Sequence, residues 1–135
     1  MNPHDLTSHI NLLAVLVAGI CHMAVGLVWF QRALFGRAWS ELTQQDLKPA
    51  VRWLVPGFIG HILIALALAA IIAVASATTI GQSLLVALFV WLCFVVTLEL
   101  GELIWEKIPV KLFLIRIGNH LVALSAASLV LAIWK

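Results

Sequence analysis

The sequence predicts an all-α integral membrane protein. The expected architecture is a four-helix bundle with up-down connectivity and a short interfacial amphipathic helix between the first and second spans. Three observations carry this. The chain of 135 residues is 64% hydrophobic and 10% charged, with a mean hydropathy of +1.13, whereas a soluble domain carries about 25% charged residues. Four apolar runs, over residues 10–31, 54–77, 84–105 and 110–134, are each long enough to cross a core of about 30 Å at about 1.5 Å per residue. The remaining polar residues gather in one long loop and on one face of the last two runs. The length suits a single domain. A net charge of +2 without a clustered basic patch excludes nucleic acid as a partner. The lipid bilayer is the partner this composition requires.

The chain opens on a short polar stretch, Met1 to Ser8, with His4 and Asp5. No Lys or Arg precedes the first run, and that run is longer than a signal-peptide core, so the first span is expected to stay in the protein. On it, Gly19, His22 and Gly26 share a face at i, i+3 and i+7. Small residues let another helix approach closely, which turns His22 toward protein.

Residues 31–53 form the extended polar region, with Arg32, Arg37, Glu41, Asp46, Lys48 and Arg52. Phe35, Ala38, Trp39 and Leu42 fall at helical spacing within it. An interfacial amphipathic helix is expected over about residues 36–47, ending near Asp46 to Pro49. In the second run, Pro56 is tolerable in a first helical turn. Gly57, Gly60 and His61 share a face, and the same small-residue argument turns His61 inward. An uncharged turn leads to the third run. The fourth carries Ala123 and Ala127 on the face of its polar group, favouring tight packing.

The two cysteines, Cys21 and Cys93, lie deep in apolar runs and form no CxxC pair, so they read as small buried hydrophobes. There are six Trp and no Tyr. Most of the Trp lie near the ends of runs, where an amphipathic indole favours the membrane interface. The loops 31–53 and 106–111 hold Arg32, Arg37, Lys48, Arg52, Lys107 and Lys111, against Lys135 on the other side. The positive-inside rule places both basic loops in the cytoplasm of a plasma (inner) membrane and both termini outside.

The densest polar stretch runs from Leu98 to His120. Glu99, Glu102 and Glu106 follow at i, i+3 and i+7, and Arg116, Asn119 and His120 at i, i+3 and i+4, so each set occupies one helical face. A turn at Pro109 makes the two helices antiparallel. Glu102 then meets Arg116, and Glu99 comes near Asn119 and His120. An ionised side chain at the centre of a span costs roughly 2.5–3.5 kcal/mol on insertion scales, so these residues require an explanation.

Two functional readings follow, from different classes. In the first, His22, His61, Glu99, Glu102, Arg116, Asn119 and His120 line one inner-half cavity, and the protein passes protons or ions or carries a small solute. Glu99, the deepest carboxylate, is then the proton carrier or gate, with His120 as its exchange partner. In the second, a Glu102–Arg116 bridge only locks the hairpin, and the protein is an accessory or scaffold subunit of a membrane complex. Three His exceed what a scaffold needs. A metal site built from three His and two Glu would need tertiary assembly, because no helix carries HxxxH or ExxH. No metal and no cofactor are expected. No nucleophile elbow, phosphate loop or metalloprotease motif is present, so no catalytic residue is assigned. Ser125 and Ser128 read as helix-packing residues. Gly and Ala faces on a small bundle favour a homo-oligomer or another membrane-protein partner.

The block WFQRALFGRAWSEL, Trp29 to Leu42, resembles the characteristic motif of a small bacterial four-helix membrane family catalogued as domain of unknown function 1761. There an aromatic pair is followed by a Leu-Phe-Gly-basic-Ala-Trp element at the end of the first helix. The stretch VKLFLIRIGNHLVAL, Val110 to Leu124, is similar to the family's last-helix pattern, with a Gly and a His two apart. Length and span number match along the whole chain. Gln31 and Arg32 depart from the pattern, standing where the resemblance implies a small polar residue and a proline. The resemblance implies the architecture and brings no activity with it.

Overall fold

A computed structural model describes residues 10–48 and 51–134. The polar stretch Met1 to Ser8, Pro49 and Lys135 lie outside the described residues. Helix α1 is Leu12–Trp29, the interfacial helix α2 Gly36–Thr43, and α3 Leu54–Val74, preceded by a 3-10 turn Val51–Trp53. Helix α4 runs over Ile80–Trp105 and α5 over Val110–Ile133. There is no strand among the described residues. The four long helices α1, α3, α4 and α5 are apolar enough to cross a membrane, and the protein is a four-helix membrane bundle.

Local chemistry fixes the helix ends. Asn11 caps α1, its side-chain oxygen accepting from the Leu13 and Ala14 amides at 3.0 and 3.3 Å. Helix α2 stops at Thr43, short of the expected 47, because Gln44 turns left-handed at φ 57°. Its amide closes back on the Ser40 carbonyl at 2.8 Å. Helix α3 stops at Val74 rather than 77 in a Schellman arrangement around Ser76, whose φ is 51°. The Ser76 amide reaches Ala73 and the Ala77 amide reaches Ile72. Helix α4 begins at Ile80, ahead of the expected Leu84, because Thr79 and Gln82 form a capping box. Bonds to the Gln82 side chain extend the α4 cap to Thr78.

Around the bundle, α1 packs on α3 and α5, and α5 packs on α4. The remaining neighbours, α3 and α4, touch only lightly. The apolar core is the half of the bundle away from the basic loops. It includes Ala14, Ala18, Ala65, Leu68, Ala87, Leu124 and Ala127. The alanines among them let the helices close tightly there. The other half holds the ionisable groups.

Helix α4 contains a π-helical segment, Trp91–Val96. A regular α-helix drifts by about 40° for every four residues. Over Ser83, Ala87, Trp91, Val95 and Glu99 that drift would carry the last residue round to the lipid side. The wider π turn takes the rotation back. Both Trp91 and Glu99 therefore meet α5, as their hydrogen bonds to it record. Thr97 caps the widened turn, its hydroxyl donating toward the Cys93 and Phe94 carbonyls at 2.6 and 3.0 Å.

Candidate functional site

His22 is placed by the crossing of α1 and α3. A Cβ on Gly19 would lie 2.5 Å from Ile62 Cδ1 and 3.1 Å from the Ile62 Cα, so only glycine lets the backbones approach this closely. One turn further along α1, His22 is 2% exposed, and its Nδ1 lies 2.8 Å from Nδ1 of His61. The rings are tilted by 49°. In that hydrogen bond one Nδ1 carries a proton and the other accepts it. Both imidazoles thus face protein, but the expected reason holds only for α1. Around Gly57 and Gly60 no described residue lies within 4 Å of an added Cβ, so these glycines make no close helix contact among the described residues. His61 is drawn in by the crossing at Gly19 and by its partner.

Arg116 bridges both carboxylates of α4. Its Nη1 donates to Glu102 Oε2 and lies 3.4 Å from Glu99 Oε2. The Glu99 side chain is 15% exposed and that of Glu102 40%. Among the described residues Glu99 bonds to Arg116 and makes no hydrogen bond to His120. The guanidinium reaches both carboxylates because they lie a turn apart on the same face.

Two tryptophans hold the backbone on either side of Arg116. The Trp29 indole N–H donates to the Ile115 carbonyl at 3.1 Å, and the Trp91 N–H to the Ile117 carbonyl at 2.7 Å. Trp29 lies against Gly118, where an added Cβ would be 3.1 Å from the indole. The block at the end of α1 builds this contact. Trp29 stacks on Phe35 at 4.5 Å between ring centroids, and Phe30 meets Trp39 edge-on at 5.8 Å. Gly36 allows the tight reversal, since a Cβ there would run into the Phe30 carbonyl.

These side chains border two cavities. A cavity of about 520 Å³ lies beneath the interfacial segment, with His61, Glu99, Arg116, Asn119 and His120 among its walls and Trp39 and Leu47 on the α2 side. A cavity of about 310 Å³ lies between α3 and α4, with His22, Glu99 and His120 at its polar end. Glu99 and His120 line both. Within the cluster, His22 Nε2 and Asn119 Oδ1 are buried without a hydrogen-bond partner among the described residues. Of the seven residues singled out in the sequence, six line one or both cavities. Glu102 joins them through Arg116. No three His, Cys, Asp or Glu side chains converge to hold a metal among the described residues.

The chain matches, over residues 13–132, the model of a family described as a protein of unknown function (DUF1761). It belongs to that family. Neither a curated protein nor a solved structure matches it. The DUF1761 match spans all four long helices and every residue of the cluster. Sequence reasoning missed the roles of Trp29 and Trp91, treating most tryptophans as interface anchors. For Trp91 a signal existed. An indole N–H in the middle of an apolar run needs an acceptor, and in a membrane only protein supplies one.

Proposed function

We propose that this DUF1761 protein is a membrane carrier that binds a proton, or a small cation in its place, at the Glu99–Glu102–Arg116 cluster. One observation carries this reading: a single guanidinium faces two carboxylates. With both ionised and the histidines neutral, the cluster sums to 1 − 2 = −1. An uncompensated charge at this depth is costly, so the site favours one positive charge more. His120 lines both cavities beside Glu99, and the His22–His61 pair continues the polar line. Such a line suits proton transfer between neighbours.

In this reading the larger cavity takes up its ion from the side of the basic loops, which is the cytoplasm, with both termini outside. The apolar half of the bundle closes the other end. A carrier that changes its packing therefore fits better than an open pore. Purified protein in liposomes should pass protons or a small cation across pH 5 to 8 at a rate above that of protein-free vesicles. Glu99→Gln keeps size and hydrogen bonding but removes the titrating group, so it should abolish or reshape the flux while the helix content is kept. Wild-type liposomes no leakier than empty ones, under either sign of potential, would overturn the carrier. The accessory reading, with a homo-oligomer or another membrane subunit as partner, would then take its place.

A further inference from the structure

The cavity between α3 and α4 has a chemistry that proton binding does not use. Its walls are almost wholly apolar, including Leu68, Val95 and Leu98. It lies where the two neighbouring helices touch least. Leu98 is 74% exposed, so the cleft faces the bilayer directly. At its inner end stands His22, 2% exposed, whose Nε2 has no partner among the described residues. The other ring nitrogen is taken by His61, so Nε2 is the nitrogen of this imidazole left to bond a guest; it is covered in this structure, and a wall side chain shifts to admit the hydroxyl. Glu99 and His120 lie at the same polar end, and Arg116 holds the Glu99 carboxylate from α5.

We propose that this cleft binds the head of a neutral, membrane-dissolved alcohol or phenol, entering sideways from the lipid. A buried imidazole nitrogen without a partner is costly, and water from the bilayer side is not on offer. A hydroxyl matches the site in either tautomer of His22. It accepts from Nε2–H or donates to a bare Nε2, and its second hydrogen-bonding capacity is met by Glu99 or His120. The apolar remainder of the molecule follows Val95 and Leu98 out between the helices. The volume of about 310 Å³ is at the lower end of the ~300–1,000 Å³ of small-molecule sites, so it takes a head and the first part of a tail. The one charged side chain in the walls is Glu99, which Arg116 already holds, so the guest is neutral.

The test is photo-labelling of the full chain in nanodiscs, using an alkylphenol with a diazirine on its tail. Competition with the same molecule lacking the hydroxyl provides the comparison. Labelling should saturate and map to α3 and α4, and the phenol should compete better than its hydroxyl-free counterpart. His22→Leu should remove that preference, about five- to tenfold for one hydrogen bond, while the apolar competitor binds as before. Ala67 lines the cleft and is exposed, so Ala67→Trp fills it without disturbing the core and should abolish saturable labelling. Labelling that never saturates, that both competitors displace equally, or that survives Ala67→Trp would mean partition into lipid only and overturn the proposal. Proton flux is not read in this assay, so a failed carrier and a failed cleft are told apart.

Discussion

Arg116 shows how one side chain can decide the energetics of a whole polar cluster. Its side chain is 27% exposed, and its guanidinium serves two carboxylates at once. Removing it strands Glu99 and Glu102 together within a spanning helix, where an ionised side chain costs roughly 2.5–3.5 kcal/mol on insertion scales. Arg116→Ala should therefore lower stability in detergent more than Arg116→Ala combined with Glu99→Gln and Glu102→Gln. The neutral triple variant leaves no unpaired charge. Equal loss in reversible unfolding of the two would show that the charges are not coupled. The i, i+3 spacing of the glutamates made their shared face legible in the sequence. That Arg116 would reach both of them was not, because reach depends on how closely α4 and α5 approach. The opposite lesson comes from Gly57 and Gly60. They have the same spacing logic as Gly19, yet pack against none of the described residues.

At the scale of the element, the π segment of α4 is what aims the glutamates. Without it, the residues after Val96 would be rotated by about 100° for each residue removed. Phe94 lies in this segment and is 58% exposed, so Phe94→Ala should leave stability near wild type. Deleting Phe94 should return the segment to a regular α-helix and turn Glu99 and Glu102 off Arg116. The deletion should then lower the melting temperature strongly, and adding Arg116→Ala to it should cost little more. Full additivity of the two changes would sink this account of the register. Nothing in WLCFVV marks a π turn by composition. The segment forms because Trp91 finds the Ile117 carbonyl and Glu99 finds Arg116 on the same neighbour, which is a demand of packing rather than propensity.

Across the whole molecule, charge is divided by depth. The ionisable cluster lies in the half near the basic loops, and the closely packed Ala- and Leu-rich core fills the other. If the loops follow the positive-inside rule, a phosphatase fused after the last helix should be active outside and a cytoplasmic reporter at the same place inactive. Robust cytoplasmic reporter activity would reverse the orientation and move the ion's entry to the other face of the membrane.

The sequence alone determined the class, the four spans, the interfacial helix and the faces carrying His, Glu and Arg. Hydropathy and helical period are local properties, and a bilayer demands both without compromise, since every backbone polar group in a span must be bonded within it. Tertiary structure decided what those faces do to each other. It paired His22 with His61 through the contact of Gly19 on α1 with α3, gave Arg116 two carboxylates, clamped its backbone with Trp29 and Trp91, and left α3 and α4 apart at the cleft. These outcomes depend on differences of about an ångström in how helices cross. Small and large residues set those distances only when the facing helix is known.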